Sequence, residues 1–247
     1  MKKILFVCFL TLYSMAGTIQ IAVAANVSYA IDDLKKAFSK HYPETNVRVI
    51  LGSSGKLTAQ ITHGAPYQLF MSANMKYPES LYAKKLAVTE PKVYAEGTLA
   101  YFSVKPHDLS KGMDLLKEKS IKRIAVANPK TAPYGIATKE ALMHANVYEE
   151  VKDKFIFGES VSQTVSYAVT AADIGFIATS SLHSKTMKKY KEGVHWKEVD
   201  PVLYTPIEQG MVILKSGEDK REVKAFYDFM LSAEAQNILQ RFGYRIP

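Results

Sequence analysis

Cysteine is almost absent from this sequence. The single cysteine among the 247 residues is Cys8, which lies within an apolar stretch near the N-terminus. The chain therefore cannot form an internal disulfide, and its stability must come from core packing. Apolar residues make up 47% and charged residues 23% of the chain, which is typical of a globular protein with a sizeable core.

The N-terminus predicts a secretory signal peptide. Lys2 and Lys3 precede an apolar run at residues 4–12, which is too short to cross a bilayer, and small residues around Met15 follow. We expect residues 1–16 to be removed and the mature chain to be periplasmic. Val7 is not the small residue that a lipoprotein signal needs before its cysteine. A rival cleavage site after Ala24 would remove a strand that the fold requires.

The sequence also lacks the complete motifs of common catalytic and cofactor sites. Gly55-Lys56 resembles the end of a phosphate loop, but Ile50 stands where that loop needs glycine, and Leu57 stands where it needs serine or threonine. Ser53 and Lys56 have the spacing of a serine nucleophile and its lysine, without the partner motifs. The six histidines show no metal-ligand spacing. A nucleotide site is excluded, and a secreted serine hydrolase using Ser53 or Ser54 remains an alternative.

Positive charge is in excess but is not concentrated. The formal net charge is +8, and the basic residues are dispersed along the chain. A nucleic-acid groove would combine clustered basic residues with exposed aromatic residues on one element, and the sequence has no such stretch. The excess charge is therefore interpreted as solvated surface with a general attraction for anions.

The order of the predicted elements indicates two α/β lobes. Strands and helices alternate twice, a pattern typical of mostly parallel sheets flanked by helices. We predict lobe I from residues 17–98 and 207–247, and lobe II from residues 99–206. The predicted strands are 18–25, 46–51, 68–72, 97–105, 123–127, 154–157, 174–179 and 209–214, and the predicted helices are 29–41, 56–62, 136–145, 162–170, 221–230 and 233–242.

Four junctions between a strand and a helix stand out, two in each predicted lobe. They are residues 25–28, 52–55, 133–135 and 159–162. Ligands of open parallel sheets bind beyond the carboxyl ends of the strands, where helix N-termini present free N–H groups and partial positive charge. Four such junctions together predict an anion site, although each alone is also explained by helix capping.

A series of short motifs runs in order along the chain. They are Gly52-Ser53-Ser54-Gly55-Lys56-Leu57, Gln60-Ile61, Gly64-Ala65-Pro66, Leu69-Phe70-Met71-Ser72-Ala73, Asn128-Pro129, Pro133-Tyr134-Gly135, Lys139-Glu140-Ala141-Leu142 and Phe242-Gly243-Tyr244. In order and spacing they resemble the periplasmic molybdate-binding proteins of ABC importers, the ModA family. The resemblance covers essentially the whole mature chain. It implies a two-lobed type II binding-protein fold that closes on an oxyanion.

The resemblance also implies the ligand-binding residues. Asn26 stands where the family has an uncharged polar residue after the first strand, and Ser54 is the second serine of the Gly-Ser-Ser turn. In lobe II the family binds the anion through a backbone N–H, and Val161 stands at that position. The residue between the proline and the glycine of the other lobe II junction is a further ligand position, and it is Tyr134 here. The adjacent Ala25 and Ser53 are further candidates.

One position departs from part of the family. Some members have an anion-binding tyrosine after the last strand of lobe II, and the matching residue here is Ala178. Those members have a small residue where this chain has Tyr134. We expect the Tyr134 phenol to supply the missing donor from the other junction.

The predicted function is capture of molybdate, and of tungstate as a second ligand, for an ABC importer. The protein is predicted to be a monomeric binding protein and not an enzyme, with no cofactor and with molybdenum or tungsten present only in the bound oxyanion. The four junctions offer donors and no acceptor, which suits a fully ionised dianion. A sulfate- or thiosulfate-type binder is the alternative within transport, and a scaffold without a small ligand is a third class.

Overall fold

The computed structural model of the protein describes residues 17–247. The predicted signal peptide, residues 1–16, and Cys8 within it lie outside the described residues. Across residues 17–247, no helix combines the length and apolar character needed to cross a membrane.

The described chain contains two five-stranded sheets with helices packed around them. The strands are β1 Gly17–Ala24, β2 Thr45–Gly52, β3 Leu69–Met71, β4 Lys92–Gly97, β5 Leu99–Phe102, β6 Ile124–Ala127, β7 Phe155–Gly158, β8 Ile174–Ala178, β9 Trp196–Glu198 and β10 Ile207–Ile213. The α-helices are α1 Ile31–His41, α2 Ser54–Thr62, α3 Lys76–Ala83, α4 Pro133–His144, α5 Tyr148–Val151, α6 Val161–Thr170, α7 Arg221–Met230 and α8 Ala233–Arg241. The 3-10 helices are Ala25–Tyr29, Leu109–Lys117, Lys152–Lys154, Thr179–His183, Pro201–Leu203 and Lys215–Gly217.

The first sheet has the strand order β2-β1-β3-β10-β4. β1 pairs in parallel with β2 and β3, and β10 is antiparallel to β3 and β4, so four of the five strands run in one direction. The four last residues of β1 are buried, which is typical of a central strand covered by helices on both faces.

The second sheet has the order β7-β6-β8-β5-β9. β6 pairs in parallel with β7 and β8, and β5 is antiparallel to β8 and β9. The predicted fold class, two lobes with mostly parallel sheets flanked by helices, is confirmed. The chain passes between the sheets at Thr98 and again between β9 and β10. We use these crossings to define lobe I as residues 17–98 and 207–247, and lobe II as residues 99–206.

Helix α1 shows how the local pattern produces the packing. Its apolar residues fall on one face and are buried, and Phe38 packs edge-on against Phe226 of α7 with ring centroids 5.0 Å apart. Acidic residues occupy its first turn and basic residues its last, in the sense that stabilises the helix dipole. Pro43 follows the helix end at His41. This helix anchors the C-terminal helices to lobe I.

The predicted continuous strand at residues 97–105 is wrong. The chain there forms β4, which ends at Gly97, and β5, which ends at Phe102. Thr98 separates them, and its carbonyl accepts a hydrogen bond from Thr179 N–H at 3.0 Å. The apolar run therefore serves two sheets, and its break is one of the two connections between the lobes.

Candidate functional site

A small cavity lies between the lobes at the ends of strands β1, β2, β6 and β7. It is lined by Ala24, Ala25, Asn26, Gly52, Ser53, Ser54, Ala73, Ala132, Pro133, Tyr134 and Val161. The structure thus brings together all six residues predicted from the sequence as oxyanion ligands. None of these lining residues carries a charge, so an ion bound here would meet only neutral groups in its immediate surroundings.

The junction after β1 is held by a buried hydrogen-bond network around Asn26. The Asn26 Nδ2 group donates to Gln209 Oε1 and to the Tyr244 hydroxyl, both at 2.8 Å. The Asn26 carbonyl accepts from the Tyr244 hydroxyl and from Ser180 Oγ, both at 3.0 Å. The side-chain donors of Asn26 are therefore engaged within the protein. The 3-10 helix Ala25–Tyr29 can still donate hydrogen bonds to a ligand through the free backbone N–H groups of its first turn.

The junction after β2 supplies hydroxyl groups. Ser54 is the first residue of α2, and its Oγ accepts a hydrogen bond from Ala73 N–H at 2.9 Å. The hydroxyl hydrogen of Ser54 remains to be donated. Ser53 occupies the N-cap position, but its side chain makes no capping bond and its buried Oγ has no hydrogen-bond partner. Capping therefore does not explain Ser53, and an unpaired buried hydroxyl beside a cavity is suited to a ligand.

The two junctions of lobe II are helix N-termini. Helix α4 begins with Pro133, and α6 begins with Val161 after the cap residue Ser160, whose Oγ accepts from Gln163 N–H at 3.3 Å. The capping interpretation therefore holds for Ser160. Tyr134 and Val161 stand in the first turns of these helices, where N–H groups lack intrahelical acceptors. Together with the helix dipoles, such N–H groups favour an anion.

The Tyr134 side chain lines the cavity, and its hydroxyl reaches Gly97 of lobe I. The phenol oxygen lies beside Gly97 and near the Asn26 side chain, and it has no hydrogen-bond partner within the described chain. Burial raises the pKa of the Tyr134 phenol well above its usual value, and the neighbouring Tyr244 raises it further. The phenol therefore keeps its proton. Whether it reaches the anion stays a prediction.

Ala178 ends β8 and is fully buried, outside the cavity lining. Two residues later, Ser180 donates to the carbonyl of Asn26, as described above. The end of this strand thus contributes to the cavity by fixing the Asn26 turn.

Several hydrogen bonds cross from one lobe to the other around the cavity. Gly55 N–H donates to the Thr131 carbonyl at 2.8 Å, and Ser162 Oγ donates to the Ala25 carbonyl at 2.7 Å. At the exposed rim, Lys56 Nζ and Glu159 Oε1 form an ion pair of 2.6 Å. These contacts hold the lobes closed over the cavity. In residues 17–247 there is no cluster of histidine, cysteine, aspartate or glutamate that could hold a metal ion.

Sequence reasoning did not assign roles to Gln209, Tyr244, Ser180 or Thr131. Tyr244 belongs to a motif that carries the family resemblance, and this was the available signal for its importance. Gln209 is fully buried in a strand of apolar residues, and a lone buried glutamine within such a strand indicates a required polar contact.

The chain is similar to known proteins of one family over almost its whole described length. The model of the bacterial extracellular solute-binding protein family matches residues 19–245. The chain is 35% identical over 237 residues to the molybdate-binding protein ModA of Rhodobacter capsulatus, covering 95% of this chain and 91% of the relative. It is 33% identical to ModA of Azotobacter vinelandii, covering 94% and 91%. The solved structure of the Azotobacter vinelandii periplasmic molybdate-binding protein aligns with a TM-score of 0.85 at 30% identity, over 93% of this chain and 99% of that one.

Proposed function

Because the chain belongs to the bacterial extracellular solute-binding protein family, among its ModA-type molybdate-binding members, we propose that the cavity between its lobes binds one molybdate ion for an ABC importer. The observation that carries the proposal is the small, uncharged cavity lined by the four strand-to-helix junctions. The family consists of substrate-binding transport proteins, so the serine hydrolase alternative is set aside.

The chemistry of the lining favours a fully ionised oxyanion. Near neutral pH molybdate has no proton to donate, so every group around it should be a hydrogen-bond donor. In our proposal the donors are the backbone N–H groups of Asn26, Tyr134 and Val161 and the hydroxyl of Ser54, with Ala25 and Ser53 beside them. A protonated phosphate would profit from a carboxylate acceptor, and the lining residues include none.

Two features of the proposal concern the choice of ligand. Sulfate also suits a site built from donors, and we favour molybdate because the similar proteins of Rhodobacter and Azotobacter are molybdate-binding proteins. We propose tungstate as a second ligand, since it has the same shape and charge. The metal enters only as the centre of the bound oxyanion, and we propose that no separate cofactor is used.

The location of the protein follows from the family, whose members are extracellular. We propose a periplasmic protein released by cleavage after Ala16. Strand β1 begins at Gly17 and pairs with two neighbours in the sheet, so cleavage after Ala24 would remove it. We propose that the binding protein is a monomer and that its partner is the membrane permease of the importer.

Calorimetric titration of residues 17–247 tests the proposal, after bound anions are removed by partial unfolding and dialysis. We expect one molybdate per chain, comparable tungstate binding and much weaker sulfate and phosphate binding. A ligand at about 100 times its Kd should also add about 2.7 kcal/mol to the free energy of unfolding. Stabilisation by sulfate or phosphate without stabilisation by molybdate would refute the assignment, and no response to any oxyanion would favour a scaffold.

A further inference from the structure

The Tyr134 phenol crosses from lobe II into a notch in lobe I. Tyr134 belongs to α4, and only 2% of its surface is exposed. Its hydroxyl lies beside Gly97, the last residue of β4. A Cβ atom placed on Gly97 would lie 2.2 Å from the Tyr134 hydroxyl oxygen and 3.2 Å from its Cζ. With tyrosine at 134, position 97 therefore has no room for any side chain.

The backbone at Gly97 does not itself require glycine. The glycines with positive φ in the described chain are Gly64, Gly112, Gly193 and Gly243, and Gly97 is not among them. Other L-amino acids could adopt its conformation. The absent side chain is therefore explained by the approach of the phenol and of the Gln209 side chain, and not by a turn.

The Gln209 side chain forms part of the notch. The Gln209 side chain, whose Nε2 atom would lie 2.8 Å from a Cβ on Gly97, donates to the Ile207 carbonyl and accepts from Asn26. Gln209 and Asn26 belong to the network that fixes the turn after β1. The phenol thus rests on the same group of residues that holds the lobe I side of the cavity.

We propose that Gly97 is a positioning residue for anion binding, because its notch sets how closely the N-terminus of α4 approaches the cavity. This rests on the proposed function of the cavity. Ala132, Pro133 and Tyr134 line the cavity at that N-terminus. A side chain at 97 would push the phenol back and move the α4 N–H groups away from the anion. Since the two residues belong to different lobes, the clash would oppose closure.

A double-mutant cycle tests this proposal. The Kd for molybdate is measured by calorimetry for the parent, Gly97→Ala, Tyr134→Phe and the double variant. We expect Gly97→Ala to weaken binding at least about tenfold when Tyr134 is present. In the Tyr134→Phe background, which lacks the oxygen at 2.2 Å, the same change should cost several-fold less than in the parent, although the ring Cζ at 3.2 Å and Gln209 Nε2 at 2.8 Å must still give way. X-ray scattering should show less ligand-induced contraction for Gly97→Ala than for the parent.

Gly217→Ala is the matched control. Its Cβ would lie 2.4 Å from the Gln68 carbonyl oxygen, a clash as severe but confined to lobe I and away from the cavity lining. We expect it to lower the melting temperature while the folded protein binds molybdate within about threefold of the parent. If the control variant lost as much affinity as Gly97→Ala, the proposal would be overturned, because steric strain anywhere in the protein would then be enough to weaken molybdate binding.

The remaining outcomes are also decisive. Unchanged affinity of Gly97→Ala, or a double variant that binds no better than Gly97→Ala, overturns the proposal. If Gly97→Ala does not fold, a folded double variant that binds like Tyr134→Phe supports it, and an unfolded double variant refutes it. A parent protein that binds no molybdate would contradict the proposed function instead.

Discussion

The two lobes share one strand plan but offer the ligand different groups. Each sheet has three parallel strands, then one antiparallel strand and one edge strand, in the orders β2-β1-β3-β10-β4 and β7-β6-β8-β5-β9. In lobe I the junctions bring the hydroxyls of Ser53 and Ser54 to the cavity. In lobe II they bring the first turns of α4 and α6, and the Tyr134 hydroxyl lies beside Gly97.

The comparison shows that the same strand order can provide an anion with two kinds of hydrogen-bond donor, side-chain hydroxyls and backbone N–H groups. A hydroxyl can be removed by a side-chain substitution, whereas a backbone N–H survives every substitution except proline. The hydroxyl donors of lobe I should therefore be sensitive to ordinary substitutions, whereas the backbone N–H donors of the Asn26 turn and of lobe II should be sensitive mainly to changes of backbone. The following predictions test this contrast, from the largest expected effect to the smallest.

Ser54→Ala should have the largest effect, because the hydroxyl has two roles. Loss of a charge-assisted hydrogen bond should cost about 1.5–3 kcal/mol of binding free energy. Ala73 N–H would also lose its buried acceptor, which should lower the free energy of unfolding by about 1–3 kcal/mol. Calorimetry and urea unfolding of the same variant measure both quantities.

Ser166→Ala is a suitable control for Ser54→Ala, since Ser166 is an exposed helical serine. Reduced stability with unchanged molybdate affinity in Ser54→Ala would reduce Ser54 to a structural residue and remove the hydroxyl contribution of lobe I.

Val161→Pro tests the backbone donor of lobe II. Proline is accepted at the first position of a helix, and Ser160 already has the extended backbone that a residue before proline prefers. The change removes one N–H, so binding should weaken by about 1.5–3 kcal/mol. Titration with molybdate measures the loss, and the circular dichroism spectrum checks the fold.

Val161→Ala retains the N–H and should lose far less affinity than the proline variant. Equal losses in the two variants would mean that the valine side chain matters and the backbone N–H does not.

Lys56→Gln should weaken binding by about two- to fivefold, because it breaks an exposed ion pair that spans the lobes. The difference from the parent should shrink at high ionic strength. Lys152→Gln breaks the exposed Lys152–Glu149 pair within lobe II and serves as the control. A salt-independent loss, or an equal loss in the control, would contradict a role of the rim pair in closure.

Tyr134→Phe should have the smallest effect, less than about threefold in affinity, because the hydroxyl occupies the notch beside Gly97. The family resemblance and Ala178 predict the opposite, a loss of about ten- to a hundredfold. The measured Kd decides between a phenol that fills a notch and a phenol that donates to the anion. The larger loss would give lobe II a side-chain donor and weaken the contrast between the lobes.

Much of the fold could be predicted because its strands are apolar and its breaks are marked. The helix predicted at residues 29–41 and the one at 221–230 correspond closely to α1 and α7. Helix α3 was missed, because it is only eight residues long and contains Pro78. The break at Thr98 was missed, because the residues beside Thr98 are apolar and give no local signal of a strand end. The break is required only because β5 joins the second sheet.

The site could be located from the sequence, but the details of its contacts could not. Glycine, serine and proline at strand ends mark helix starts, and this signal brought Ser54, Tyr134 and Val161 to one place. The engagement of Asn26 depends on Gln209 and Tyr244, which are 183 and 218 residues away in the chain. No local pattern reports such partners. The direction of the Tyr134 phenol likewise depends on an empty position in the other lobe.

The position of β10 has a consequence for how the chain folds as it emerges from its N-terminus onwards. Lobe II is one continuous segment, so all strands of its sheet are available once Glu198 has emerged. The sheet of lobe I lacks β10, which lies between β3 and β4, until Ile213 follows. The core of lobe I also waits for Phe226 and Leu239 of the last helices. The lobe that starts first is therefore finished last, and until then β3 and β4 expose unpaired edges on which a chaperone or another chain can act.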